Sequence, residues 1–490
     1  MQKKTAHEMN VEATNASLLE AIIDQGRVAR DPAQAERAKD LIVEFVDQVP
    51  GRVQYEATDA ALMISERIAA IDALLSQQVN EILHHPEFQK LESAWRGLHQ
   101  LVMAADGVPD VQIKALPACK EQLIKDFERA PGFDQSSLFK LIYEEEFGTL
   151  GGAPFGALVA DIEFGRSAQD IRLLSELSHV AASAHAPLLA AAAPALFDLD
   201  SFTDISAPRD MAKVFESGEL AQWRGYRDSE DSRYVALSLP RVLMRLPYGA
   251  DTVSSEQFAF EENCDGLTHE RYLWGSPSWS LAERIVESYA AYGWASAIRG
   301  VEGGGLVENL PQHFFRSLTG ERIAKCPTET AITDRREKEL SDQGFLPLCY
   351  AKGTGYAVFF GGQTTHRPAV YTTDLANANA RLAAVLPYVL AASRFAHYVK
   401  AIMRDKVGSF QSRESVEHYL NRWIAQYVTP DDRASHAVKA QYPLREASVE
   451  VRETPGKPGS YSTVLFLRPH FQLEELTASI RLVAEVPRGI

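Results

Sequence analysis

The sequence of 490 residues has the composition of a globular protein and a strong acidic excess. Hydrophobic residues make up 46% and charged residues 24%, which excludes a wholly disordered chain. With 50 Lys and Arg against 66 Asp and Glu, the formal charge is −16, which argues against nucleic acid and anionic membranes as main partners. At roughly 150 residues per domain, the length predicts two to four packing units.

Cysteine use and hydropathy favour a soluble, cytoplasmic protein. The four cysteines are widely spaced and form no CxxC pair, so neither a disulfide framework nor a zinc ribbon is predicted. The first residues lack the apolar core of a secretory signal peptide. The most apolar run, 180–197, is mostly alanine and contains two prolines. Because a membrane span needs about 20 strongly apolar residues, this run predicts a buried core segment.

The sequence of the first part of the chain predicts an arm followed by two helices. Residues 1–55 are charge-rich and weakly patterned, with one apolar cluster at Leu18, Leu19, Ile22 and Ile23. Apolar residues then recur at helical spacing from Ile64 to Ile82. A second helix is predicted on the stripe formed by Leu91, Trp95, Leu98 and Val102, and Pro86 separates the two helices.

The middle of the chain predicts a parallel sheet covered by helices. An apolar run at 156–161 is followed by a helical pattern from Ile171 to Val180 and by another apolar run from Pro187, which is a βαβ order. Further strands are predicted at 234–239 and 356–360. The alanine-rich stretch 376–400 predicts one or two helices, so the predicted fold class is mixed α/β.

The C-terminal region predicts three strands. Ala447, Val449 and Val451 alternate with polar residues, as in a half-buried strand, and a Pro/Gly-rich turn follows at 454–459. A second strand is predicted at 460–467, with 464–467 buried on both faces, and a third at 479–486. A strand that ends a sheet is a template for pairing with another chain, so this region indicates assembly.

No catalytic or nucleotide-binding motif is complete. The glycine-rich segment 300–305 is not followed by Lys-Ser/Thr, and 353–355 leads into a predicted strand, so both favour structural turns over phosphate sites. The sequence contains no HExxH and no GxSxG elbow. We therefore expect no catalytic, metal or cofactor-binding residues and no enzyme activity.

One pair of carboxylates leaves an alternative open. Asp161 and Glu163 lie at the end of a predicted parallel strand, where α/β enzymes often place metal-binding carboxylates. The competing interpretation is that Asp161 caps the next turn and Glu163 faces solvent. No matching acidic group lies downstream, which favours the structural interpretation.

Several segments, in order along the chain, resemble the large subunit of the type VI secretion contractile sheath, the TssC/VipB family. Their joint occurrence is far more specific than any single motif. The segments are Lys140-Leu-Ile-Tyr-Glu-Glu-Glu-Phe-Gly-Thr-Leu-Gly-Gly152, 154–158, Ile298-Arg-Gly-Val-Glu-Gly-Gly-Gly-Leu-Val-Glu308, 394–398, 404–409 and Leu467-Arg-Pro-His-Phe-Gln-Leu473.

The resemblance implies a cytoplasmic structural protein with several partners. It implies a smaller sheath subunit of the TssB/VipA type, further copies of this chain in six-membered helical rings, and an inner tube of Hcp. It also implies attachment to an envelope-anchored baseplate and disassembly by a ClpV-type ATPase, mainly through the small subunit. Contraction would drive the tube and its spike into a target cell. Neither membrane insertion nor nucleic acid is implied.

The resemblance also suggests a domain division and candidate contact residues. The expected domains are an N-terminal arm for inter-subunit exchange (1–58), an α/β region with an outer domain (59–372) and a C-terminal sheath core (373–490). The candidate inter-subunit strand residues are Leu18, Leu19, Ile22, Ile23, Val449, Val451, Val464, Phe466, Ile480, Leu482 and Val486. A basic flank that could face the inner tube comprises Arg394, Lys400, Arg404 and Lys406, although intramolecular pairing is an equal alternative.

Two other functions remain as alternatives. A tail sheath of a phage-like particle is usually one chain, so a requirement for a small partner would separate it from the two-component sheath. A cytoplasmic α/β enzyme acting at Asp161 and Glu163 would be active at low oligomeric order and would bind a metal or small ligand.

Overall fold

A computed structural model describes residues 31–47, 57–207, 210–254, 258–317, 319–407, 409, 412–453 and 461–470. The chain divides into two compact units, residues 1–74 and 75–490. The first unit contains α1 (Pro32–Asp47) and the beginning of α2 (Ala57–Leu83). The weakly patterned arm thus includes a helix that the sequence analysis missed.

The second unit holds the other helices and all described strands. Its helices are α3 (Pro86–Ala105), α4 (Lys120–Arg129), α5 (Ala168–Ala184), α6 (Met211–Glu216), α7 (Ala221–Arg227), α8 (Pro277–Tyr292), α9 (Asp334–Asp342), α10 (Asp374–Leu382), α11 (Leu386–Asp405), α12 (Arg413–Ile424) and α13 (His436–Gln441). A π-helix spans Lys140–Gly148.

The strands form one large sheet and three small ones. The strands are β1 (Leu158–Phe164), β2 (Leu188–Ala192), β3 (Val235–Leu239), β4 (Val242–Leu243), β5 (Trp274–Gly275), β6 (Leu306–Val307), β7 (Phe314–Arg316), β8 (Arg322–Ala324), β9 (Phe345–Tyr350), β10 (Ala357–Phe359), β11 (Leu444–Glu453) and β12 (Tyr461–Pro469). The large sheet has the order β1-β2-β3-β9-β10-β6, and β4–β5, β7–β8 and β11–β12 form antiparallel pairs.

The predicted βαβ unit is confirmed as the core of the large sheet. β1 and β2 pair in parallel across α5, and β3 and β9 continue the parallel order, whereas β10 and β6 are antiparallel. The side chain of Ser167 caps α5 by accepting from the Asp170 N–H at 3.1 Å, and His185 ends the helix in the left-handed region. The predicted mixed α/β class is therefore confirmed.

Hydrophobic clusters cover both faces of the large sheet. Along β2, Leu188 and Ala190 face a cluster that includes Phe197 and Phe345, and Leu189 faces the opposite cluster with Trp279. A strand buried on both faces reads as a continuous apolar run without alternation. This explains why β9 was missed, since its apolar residues surround Pro347.

The glycine-rich segment 300–305 forms a tight turn, as the sequence predicts. Gly304 has a φ of +85°, and a Cβ there would collide with the carbonyl oxygen of Ala297. The Gly300 N–H donates to the carbonyl oxygen of Phe359 at 2.7 Å, and Phe359 N–H donates to that of Gly305 at 2.9 Å. The turn thus continues the pairing of β10 and β6.

Replacing Gly304 by alanine should destabilise the chain more than replacing Gly300. Both glycines have positive φ, which costs a residue with a Cβ about 1–2 kcal/mol, but a Cβ at Gly300 meets nothing within 4 Å. The collision with Ala297 adds to that cost only at Gly304. Thermal unfolding of both variants would measure the difference, and equal melting temperatures would contradict the close packing.

Candidate assembly surfaces

The C-terminal hairpin is the clearest candidate for an assembly surface. β11 and β12 pair over nearly their whole length, and no other described strand joins them. An isolated two-stranded hairpin is marginal in water. Val449 and Val451 are 3% and 0% exposed in a cluster with Leu420 and Ile424 of α12, which stabilises the hairpin from one side.

The outer face of the hairpin corrects one prediction. Residues 464–467 were expected to be buried on both faces, but they alternate, and Val464 and Phe466 are 45% and 53% exposed. Val464 pairs with Glu450 and Phe466 with Ser448, so two apolar side chains lie on an otherwise polar face. The half-buried strand at 447–451 is confirmed.

Side chains of α12 occupy the free edge of β11. The Asn421 side-chain amide donates to the Val449 carbonyl oxygen at 2.7 Å and accepts from the Val449 N–H at 2.9 Å. Glu417 accepts from the Val451 N–H at 2.9 Å, and Arg413 donates to the Val451 carbonyl oxygen at 3.2 Å. These bonds leave no backbone group of Val449 or Val451 for a further strand.

The opposite edge, on β12, has no partner strand among the described residues. In an antiparallel pair, backbone groups alternate between facing the partner strand and facing away from it. Because the backbone groups of Val449 and Val451 face away from β12, those of their partners Leu465 and Thr463 face away from β11. No described strand pairs with that edge. The hairpin therefore presents one edge for strand addition.

The predicted basic flank lies on α11, and two of its members contact the π-helix. Arg404 donates to the carbonyl oxygens of Thr149 at 2.8 Å and Phe147 at 3.1 Å, where the helix ends. The Lys400 ammonium lies 3.2 Å from the centre of the Phe147 ring. A cation is favourable at a helix C-terminus, where carbonyl groups lack partners.

The other two basic residues, Arg394 and Lys406, contact aromatic rings of α11 and α12. The Arg394 guanidinium lies 4.9 Å from the Tyr398 ring centre, and the Lys406 ammonium 4.5 Å from that of Tyr419. All four residues thus make intramolecular contacts to rings or carbonyl groups. A role towards the inner tube stays a prediction.

Two histidines, His185 and His397, lie near Lys400. His397 is 4% exposed and its Nε2 lies 2.8 Å from the Ala184 carbonyl oxygen, which makes Nε2 the protonated nitrogen. The ring centres of His397 and His185 are 6.2 Å apart. Burial lowers the pKa of His397 to about 4, and the charges of Arg394 and Lys400 act in the same direction.

Replacing His397 by glutamine should weaken the pH dependence of stability. Between pH 6.5 and about 4, the unfolded chain binds a proton at this position and the folded chain does not, so stability falls as the pH falls through this window. The total effect is about 3 kcal/mol. Glutamine retains a donor for the Ala184 carbonyl group but does not titrate.

The measurement is the free energy of unfolding of wild type and His397→Gln between pH 4 and pH 7. His436→Gln, at an exposed position, is the matched control. An unchanged slope in His397→Gln would show that this histidine is not held neutral by the fold.

Three of the four residues of the stripe predicted on α3 are exposed, whereas Leu98 packs against the cluster that contains Trp279. The helix is confirmed, but Leu91, Trp95 and Val102 are 56%, 64% and 45% exposed. Its buried face is formed by small residues and one leucine, and a Cβ at Gly97 would collide with the indole of Trp279. The apolar stripe is therefore a second candidate contact surface, because exposed apolar patches mark interaction sites.

The carboxylate pair at the end of β1 is not arranged for a cation. Both carboxylate oxygens of Glu163 accept from Arg241, at 2.6 and 2.7 Å. Asp161 is exposed on the strand. Glu163 thus does not face solvent unpaired, as the structural interpretation supposed, and among the described residues it belongs to no group of three metal-ligating side chains.

Several candidate strand residues lie outside the described residues. These are Leu18, Leu19, Ile22, Ile23, Ile480, Leu482 and Val486. Sequence reasoning in turn missed the α12 side chains at the β11 edge. No local signal could have identified them, because Asn421 and Val449 are separated by 28 positions.

Family models match both parts of the chain. Residues 65–366 match the tail sheath N-terminal domain of the EvpB/VC_A0108 family, and residues 375–486 match the tail sheath gpW/gp25-like domain of the same family. The chain is 48% identical over 434 residues to the type VI secretion system sheath protein TssC1 of Pseudomonas aeruginosa, covering 88% of this chain and 87% of the relative. The chain belongs to the TssC/VipB family of type VI secretion sheath proteins.

Solved structures of phage-like particles are distant neighbours of this sheath family member. The anti-feeding prophage baseplate matches with a TM-score of 0.35 and 12% identity, over 64% of this chain and 66% of that one. The helical sheath of the same particle in the contracted state matches with a TM-score of 0.33 and 12% identity, over 64% of this chain and 67% of that one. Among the described residues, no helix is long and apolar enough to cross a bilayer.

Proposed function

We propose that this sheath protein is the large structural subunit of a two-component contractile sheath and that it is joined to neighbouring subunits by strand addition at β12. The proposal is supported by the C-terminal hairpin. Side chains of α12 occupy its β11 edge, and no described strand pairs with its β12 edge. An added strand would donate to and accept from the backbone of Thr463 and Leu465. Val464 and Phe466 would lie beside it on the outer face.

The added strand has a candidate within the chain itself. Residues 479–486 alternate between polar and apolar side chains, with Ile480, Leu482, Ala484 and Val486 on one side. The strand would come from another copy of the chain. Backbone pairing of this kind persists while the subunit bodies rotate, because linker residues absorb the rotation.

The sheath would consist of heterodimers with a small subunit of the TssB/VipA type. These would stack as six-membered rings around an Hcp inner tube, on a baseplate anchored in the envelope, in the bacterial cytoplasm. A ClpV-type ATPase would disassemble the contracted sheath. The exposed stripe of Leu91, Trp95 and Val102 supports assembly, since burial by an adjacent subunit would remove it from water.

Contraction would draw its free energy from newly buried surface. Each 100 Å² of apolar surface removed from water contributes about 2.5 kcal/mol. Over the many subunits of a tube, a modest gain per subunit drives a large displacement. The chain then needs no active site, and the pairing of Glu163 with Arg241 supports a structural role over the enzyme alternative.

Electron microscopy of the chain co-expressed with its small partner tests this function. We expect tubes in the co-expressed sample and none from the chain alone, because the sheath requires both components. Tubes from the chain alone would favour the one-chain phage-like alternative. Discrete small particles in both samples would contradict the sheath proposal.

Charged residues on the apolar side of the C-terminal strand should abolish tubes. We expect the double variant Ile480→Asp with Leu482→Asp to lose tubes in the same assay but to retain the heterodimer, because two carboxylates would be buried in the inter-subunit sheet. The matched control is Ser479→Asp with Arg481→Asp, which places two carboxylates on the opposite side of the same strand. Intact tubes in the first variant, or equal loss in both, would refute the strand assignment.

A further inference from the structure

Three side chains of metal-ligating type meet where α2 ends. The Nε2 atom of His84, a carboxylate oxygen of Glu262 and the Sγ atom of Cys264 all lie within 4.8 Å of one another. The histidine follows the last residue of α2, and the other two belong to the segment 258–265, between β4 and β5. Local spacing could not reveal this cluster, since about 180 positions separate its two parts.

The backbone that carries these ligands is held in place from both sides. Asn80, one helical turn before His84, accepts from the Asn263 N–H at 2.8 Å and so ties α2 to the residue between Glu262 and Cys264. On the other side, Arg271 donates to the side-chain oxygen of Asn263 at 2.9 Å. The three ligand atoms are therefore brought together by a fixed framework rather than by flexible side chains alone.

Glu262 is buried and oriented by its other contacts. Its Oε2 atom accepts from Arg245 at 2.5 Å and from the Tyr248 N–H at 2.9 Å. Its Oε1 atom lies 3.3 Å from His84 Nε2 and accepts from Arg245 Nη2 at 3.1 Å. Oε1, which contacts His84, is therefore the oxygen that would bind a cation in exchange for its bond to Arg245 Nη2, while Oε2 keeps its bond to Arg245. Arg245 also donates to Glu92 at 2.7 Å, so it keeps an ion pair if Glu262 binds a cation.

We propose that His84, Glu262 and Cys264 bind Zn²⁺ and thereby fasten the end of α2 to the segment before β5. Zinc accepts this combination of imidazole nitrogen, carboxylate oxygen and thiolate sulfur, and three protein ligands leave a fourth position for water. The two charges of Zn²⁺ balance one carboxylate and one thiolate. The proposed role is to hold the end of α2 against the segment 258–265, which the hydrogen bond between Asn80 and Asn263 already joins.

Binding requires that Cys264 lose its proton. Without a metal, its thiol donates to the Arg271 carbonyl oxygen at 3.2 Å. One proton is therefore released to solvent for each Zn²⁺ bound, as the sulfur exchanges its hydrogen for the metal.

Titration of the metal-free, full-length chain with Co²⁺ tests the site. We expect one Co²⁺ per chain, with a near-ultraviolet sulfur-to-cobalt charge-transfer band, and loss of that band when Zn²⁺ displaces Co²⁺. Cys264→Ser should abolish the band. Cys326→Ser is the matched control, since Cys326 is another partly buried free cysteine, and it should leave the band unchanged.

A second variant keeps the test informative if Cys264→Ser fails to fold. His84→Gln retains the thiolate, so the band should persist while Co²⁺ affinity falls by at least the roughly 10- to 100-fold typical of losing an outer-shell partner. Absence of a band in the wild-type chain would overturn the proposal. So would a band that survives Cys264→Ser, or an affinity that is the same in His84→Gln and wild type.

Discussion

The strand addition proposed for this chain depends on the packing of β11 against α12. A two-stranded hairpin has little stability of its own, and here Val449 and Val451 are buried against Leu420 and Ile424. The same helix supplies the polar side chains that bind the β11 backbone. One helix therefore both stabilises the hairpin and determines which of its edges is available, and the proposed strand addition follows from that geometry.

The C-terminal region is joined to the large sheet through α11. The Phe395 ring stacks on Trp294 with centres 4.5 Å apart and belongs to the same cluster as Val449. Further along the helix, Lys400 and Arg404 contact the end of the π-helix. Because a packed core deforms little, a displacement of the hairpin would be transmitted along α11 to the π-helix.

The sequence predicted most of the elements that carry a strong period or strict alternation. The helices around Ile64–Ile82 and Ile171–Val180 and the strand at 447–451 are confirmed for this reason. The predicted buried face was wrong where apolar residues are not the buried ones. Trp95 of the apolar stripe is exposed, because α3 packs through Ser93 and Gly97 instead. Contacts between distant positions, such as Asn421 with Val449 or His84 with Glu262, leave no local pattern and could not be predicted.

The side chains at the β11 edge have a consequence for how subunits connect. An uncovered hairpin would accept a strand on either side, and repeated pairing could then branch into disordered aggregates. With Asn421, Glu417 and Arg413 bound to β11, the hairpin, as far as the structure describes it, offers only the β12 edge to the proposed strand. Chains linked in this way can grow only as an unbranched series, in which every subunit receives one strand and passes one on. Such an unbranched series suits a tubular assembly.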